Sequence, residues 1–148
     1  MRLALAVGVA AVMVSGGVAR ALPAGTLVIT TSQMDPKSPT FEKDLKKAQK
    51  TELVKDGEAG WHLYFVAYLK KAAGAQEVNI VLYDVSGGKR EQINAFPVTT
   101  QPTAKIIMSD VQLSTEQGFK VGAKYDVMIT RLSGGHEDVY ARARLELK

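Results

Sequence analysis

Beyond residue 60 the chain alternates, with apolar side chains at every second position almost to the C-terminus. Over residues 61–69, Trp61, Leu63, Phe65, Ala67 and Leu69 fall on one side and His62, Tyr64, Val66 and Tyr68 on the other, because successive strand side chains point to opposite faces. Both sides are apolar, which predicts a central strand. Residues 77–85 continue with Val78, Ile80 and Leu82 against Val81 and Tyr83. Ser86-Gly87-Gly88 tolerates positive φ and predicts a hairpin, with the chain returning as a strand over residues 89–98. Pro97 has no N–H to donate and predicts a sheet edge. Residues 105–113 form a further strand whose alternation slips around Ser109-Asp110, as a bulge or a bend would cause. Residues 124–130 put Tyr125, Val127 and Ile129 on one face, and Ser133-Gly134-Gly135 predicts a second hairpin. The last strand, 139–147, sets Val139, Ala141, Ala143, Leu145 and Leu147 inward, with Tyr140, Arg142, Arg144 and Glu146 outward.

Before residue 60 the pattern differs. β-Branched residues at 24–31 predict a first strand within 22–31, which Asp35-Pro36 and Ser38-Pro39 end. Over residues 40–50, Phe41, Leu45 and Ala48 recur at helical spacing and predict a short surface helix, with a charged extended linker as the alternative. At the N-terminus Arg2 precedes an apolar run from Leu3 to Val14, then Ser15-Gly16-Gly17 and Ala19-Arg20-Ala21. That is the layout of a secretory signal peptide cleaved after Ala21, the run being shorter than the roughly 20 residues of a membrane-spanning helix. The expected product is periplasmic or secreted. Residues 1–21 are removed, 22–52 supply an N-terminal strand and the charged helix or linker, and 53–148 form a β-sandwich core. About seven closely spaced strands joined by Gly, Pro and Ser predict an all-β, antiparallel sandwich.

Composition narrows the function classes. Loss of Arg2 and Arg20 takes the basic residues from 19 to 17 against 15 acids, a net charge of +2. Nucleic-acid binding needs a concentrated basic stripe, and this charge is spread along the chain. There is no cysteine, so the fold rests on packing alone, and thiol catalysis, Cys-ligated zinc, iron–sulfur clusters and a Cys-linked lipid are excluded. No stable membrane anchor is expected after cleavage.

The segment Phe119-Lys120-Val121-Gly122-Ala123-Lys124-Tyr125-Asp126-Val127 resembles the approach to the sixth strand of immunoglobulin-like and fibronectin-type-III-like domains. There a Gly-containing turn precedes a Tyr whose hydroxyl bonds back to nearby backbone. The resemblance covers residues 53–148 and implies an immunoglobulin-like β-sandwich, with Tyr125 in that corner and Trp61 as the large core residue of an inner strand. It implies an architecture used for adhesion, docking and spacing, and no reaction. The inter-sheet cysteine pair of antibody-type domains is absent.

Candidate chemistry is sparse. His136-Glu137-Asp138 sits at the second hairpin, but adjacent strand residues diverge and do not readily share an ion. His62 and His136 lack the spacing of a zinc site. There is no Gly-x-Ser-x-Gly elbow, and Ser86 and Ser133 stand in turns. Neither Gly-rich turn opens a phosphate-binding helix. Lys43, Lys46, Lys47, Lys50 and Lys55 read as a solvated face diluted by Glu42, Asp44 and Glu52, with Glu42 and Lys46 spaced as an i,i+4 pair.

The expectation is therefore a non-enzymatic binding or structural module of the bacterial envelope, with no catalytic residue, metal or cofactor. It docks a protein partner through an amphipathic patch of Tyr64, Tyr68 and Tyr83 with His62 nearby, or through an exposed edge strand. One alternative is a carbohydrate-binding module that stacks the same aromatics on a cell-surface polysaccharide. Another is an envelope enzyme using His62 or His136 with nearby acids. The 40–50 segment competes for the tyrosine face, since Phe41 and Leu45 would cover it.

Overall fold

The computed structural model describes residues 22–148, so the signal-peptide reading of residues 1–21 lies outside the described residues. In chain order the elements are β1 (Leu27–Thr30), α1 (Phe41–Ala48), β2 (Glu52–Leu53), β3 (Trp61–Tyr68), β4 (Glu77–Asp84), β5 (Glu91–Thr99), β6 (Ile106–Leu113), β7 (Lys124–Ser133) and β8 (His136–Leu147). Short 3-10 turns occupy Gly57–Ala59 and Thr115–Gln117. One sheet has the order β2-β8-β7-β4-β5 and the other β1-β3-β6. No helix among the described residues is long and apolar enough to cross a membrane.

The period-two pattern builds the core. Trp61, Leu63, Phe65 and Ala67 of β3 meet Ile80 and Leu82 of β4, Tyr125, Val127 and Ile129 of β7, and Leu145 and Leu147 of β8 in one buried cluster shared by the two sheets. The arrangement is compatible with a β-sandwich, held by apolar burial without a covalent staple. Trp61 is 1 % exposed, and its indole N–H donates to the Lys148 carbonyl at 3.2 Å. As the two-sided apolar pattern predicts, β3 is the middle strand of its sheet. Pro97 lies on β5, an edge strand, as its missing donor requires.

Three expectations are corrected. The five-stranded sheet is mixed, because β2 runs parallel to β8, with Glu52 opposite Glu146 and Leu53 opposite Leu147. A two-residue strand carries no periodicity, so the sequence does not announce it. The slip at Ser109-Asp110 is no bulge: β6 pairs with β3 in unbroken register from Ile106 to Leu113, and Ser109 is a polar residue in the inward row. The bulge lies instead in β8, between Val139 and Ala141. The extra residue exchanges two faces. Tyr140 turns into the core at 2 % exposure, its hydroxyl donating to the Ala73 carbonyl at 3.1 Å, while Val139 packs outside against Val81, Tyr83 and Met128.

Two backbone features hold the strand ends. Gly134-Gly135, at φ 57° and 82°, close the two-residue turn between β7 and β8, where Ser133 pairs with His136, a twist that suits a tight hairpin. Gly60, at φ 85°, brings β3 so close to β6 that an added Cβ would stand 2.0 Å from the Leu113 carbonyl oxygen. In the turn before β7, the Tyr125 hydroxyl accepts the Lys120 N–H at 2.9 Å, and Phe119 meets the Tyr125 ring edge-on at 5.5 Å between centroids. That hydrogen bond is the one expected of the Tyr125 corner.

Candidate functional site

The outer row of β3 carries His62, Tyr64, Val66 and Tyr68, and α1 divides it. Leu45 is fully buried and packs with Val28, Val66 and Tyr68, flanked by the half-buried Phe41, Met34 and Met108. The helix spacing of Phe41 and Leu45 is thus used to cover one end of the row. Tyr68 is 8 % exposed, and its hydroxyl donates to Glu42 Oε2 at 3.2 Å. Burial, reinforced by the Glu42 carboxylate, pushes the Tyr68 phenol up to about 12. Glu42 is therefore engaged with the sheet, and among the described ion pairs it has none with Lys46. Lys43, Lys46, Lys47 and Lys50 stay exposed.

The other end of the row is open. His62 stacks on Tyr64, with centroids 4.3 Å apart and planes 12° from parallel. Its Nε2 lies 2.5 Å from Oδ2 of Asp110 on β6, and both side chains are more than two-fifths exposed. The contact follows from register: His62 is opposite Gln112 and Tyr64 opposite Asp110, so Asp110 is the diagonal neighbour of His62 on the same face. Between this group and the start of the helical segment runs a groove of about 320 Å³, lined in part by Thr30, Gln33, Met34, Tyr64, Met108 and Asp110. Its walls pair an aromatic ring and two thioethers with amide, hydroxyl and carboxylate groups, a mixture suited to recognition of a polar ligand with apolar parts.

Tyr83 lies elsewhere. β3 and β4 are consecutive in sequence but belong to different sheets, so Tyr64, Tyr68 and Tyr83 do not form one patch. Tyr83 is 8 % exposed on the outer face of the five-stranded sheet. There the Arg90 guanidinium sits 4.0 Å from its ring centroid, and its hydroxyl donates to the Glu137 carboxylate, 2.8 Å from either oxygen. Burial raises the Tyr83 phenol, Glu137 adds to the rise, and Arg90 opposes it. Next to it Asp126, only 4 % exposed, is held by Arg142 Nη2 at 3.1 Å and by Arg144 Nε. His136 is exposed in the β7–β8 turn, and its neighbours diverge: Glu137 goes to Tyr83 and Asp138 to Lys71, at 3.8 Å.

Of the four site residues named from the sequence, Tyr64 lines the groove and His62 stacks on it from the side. Tyr68 is under the helix, and Tyr83 is beneath an arginine on the other sheet. Asp110, Gln33 and Met34 escaped sequence reasoning. The signal for Asp110 was its even position on β6, which places it on the tyrosine face once the strand is read without a bulge. Among the described residues no group of three or more His, Asp or Glu is placed to hold a metal ion. Compared with known proteins, the chain matches no protein-family model and no curated protein at a significant level.

Proposed function

We propose that the protein is an exported, non-enzymatic binding module of the bacterial envelope, an immunoglobulin-like sandwich that docks a protein partner at the groove beside Tyr64. Export rests on the layout of residues 1–21. The immunoglobulin-like assignment rests on the Tyr125 corner and its bond to Lys120. The observation that carries the docking reading is the division of the β3 face. α1 seals Val66 and Tyr68 but leaves a stacked His62–Tyr64 pair and the Asp110 carboxylate open beside a groove.

A binding role is favoured over catalysis because the His62–Asp110 pair stands on the surface and, among the described residues, no hydrogen bond joins His62 to a serine or threonine. A hydrolytic centre needs such a nucleophile oriented by the base. The polysaccharide reading is weakened because the three tyrosines form no shared platform: Tyr68 is covered by α1 and Tyr83 lies on the other sheet, which leaves the Tyr64 ring alone at the groove.

The experiment is affinity capture from the organism's own envelope fraction, with the mature protein and its Tyr64→Ala and His62→Ala variants as baits of verified fold. A protein retained by the wild type and lost from both variants is the expected result. Retention undiminished in both variants, or retention of polysaccharide alone, overturns the reading.

A further inference from the structure

Edge strands expose a row of unpaired N–H and C=O groups, and proteins usually blunt them. Three of the four edges here are blunted. β5 carries Pro97 and a register shift opposite Leu82/Tyr83. At β1 the Ile29 carbonyl already accepts the Lys50 N–H at 2.8 Å. β2 is two residues long. The fourth, β6, has eight residues in unbroken register, no proline and one charge, Asp110. Ile106 at its start is 51 % exposed.

The direction of its free groups can be read from the ladder. The Leu69 N–H donates to the Lys105 carbonyl at 2.8 Å, and hydrogen-bonded pairs recur at every second residue of an antiparallel ladder. Ile107, Ser109, Val111 and Leu113 therefore bond to β3. Ile106, Met108, Asp110 and Gln112 turn both their backbone groups away from the sheet.

We propose that this edge pairs with β6 of a second copy of the chain, antiparallel, about a twofold axis through Ser109, so that two three-stranded sheets join into one of six. This inference does not depend on what the groove binds. Residues opposite each other in the pair must share a face, which restricts the registers. Centring on Asp110 sets two carboxylates directly opposite, a repulsive pair. Centring on Met108 drops Gln112 from the ladder. Centring on Ser109 keeps all the outward-turned residues, Ile106 against Gln112 and Met108 against Asp110, for about eight hydrogen bonds. It also sets Ile107 against Val111 on the inner face. Val111 is only half-buried, so the core is open along this edge, and the partner's Ile107 closes it. Each Asp110 remains beside its own His62, and the two grooves come to lie on one side of the joined sheet.

The test combines sedimentation of the mature protein over a concentration series with amide hydrogen exchange. The expected result is a monomer–dimer equilibrium in which the Ile106, Met108, Asp110 and Gln112 amides gain protection as the dimer fills, while those of Ile107, Ser109 and Val111 are protected throughout. Met108→Pro removes an outward N–H from each chain without taking a bond from the β3–β6 ladder. It should weaken dimerisation by about 10- to 100-fold while Trp61 fluorescence stays native-like. A monomer up to millimolar concentration overturns the proposal, and so does a dimer whose even-numbered β6 amides exchange freely. Protection that arises only when another protein is added assigns the edge to a foreign strand and overturns it equally.

Discussion

Tyr64 and Tyr68 stand four residues apart on the same face of β3, yet their truncation should have very different costs. Tyr68 is 8 % exposed beneath α1 and hydrogen-bonded to Glu42. Cutting a buried aromatic to alanine costs about 3–5 kcal/mol, and a short surface helix that can settle into the gap puts Tyr68→Ala near the lower end, at about 3 kcal/mol. Tyr64 is half-buried and loses mainly its stack on His62, worth about 1 kcal/mol. Trp61 is the single tryptophan and sits in the core, so its fluorescence reports global unfolding in urea. With a denaturant slope of about 1.5 kcal/mol per molar for a domain of this size, Tyr68→Ala should lower the midpoint by about 2 M and Tyr64→Ala by well under 1 M. Equal shifts would refute the division of the face by α1. A Tyr68→Ala shift as small as that expected for Tyr64→Ala would refute the docking of the helix itself.

Alkaline stability and backbone clearance give two more expectations. The Tyr68 phenol is raised to about 12 in the folded protein from 10.0, so its contribution is complete below about pH 10 and is lost as the pH rises toward 12. The loss is up to about 2.5 kcal/mol, reduced by solvent screening at the helix edge, and denaturation midpoints at pH 9 and 11.5 should show it more strongly in wild type than in Tyr68→Phe. Gly60→Ala forces a Cβ against the Leu113 carbonyl at positive φ and should destabilise by about 4 kcal/mol or more. Gly87→Ala, with open space around it, should change the midpoint by less than about 0.5 kcal/mol equivalent, and a similar loss at the two sites would contradict the close approach of β3 and β6.

Local pattern predicted most strands between residues 61 and 147 and the inward row of β3 by alternation, the two hairpins and the edge position of Pro97 by glycine and proline chemistry, and a helix over 40–50, with a charged linker as the alternative, by helical spacing. It could do so because a strand's pleat and a helix's pitch are local: each writes its period directly into neighbouring residues. What the tertiary structure decided is which local elements meet. Nothing in the period of β3 or β4 says that consecutive strands part into different sheets, and that parting is what separates Tyr83 from Tyr64. The parallel pairing of β2 with β8 joins residues nearly a hundred positions apart, through two residues with no pattern to read. The Tyr140 bulge reversed an otherwise clean alternation, because one inserted residue flips the faces on one side of it. Asp110 reached His62 through cross-strand register, a relation between segments to which hydrophobic spacing within either one is blind.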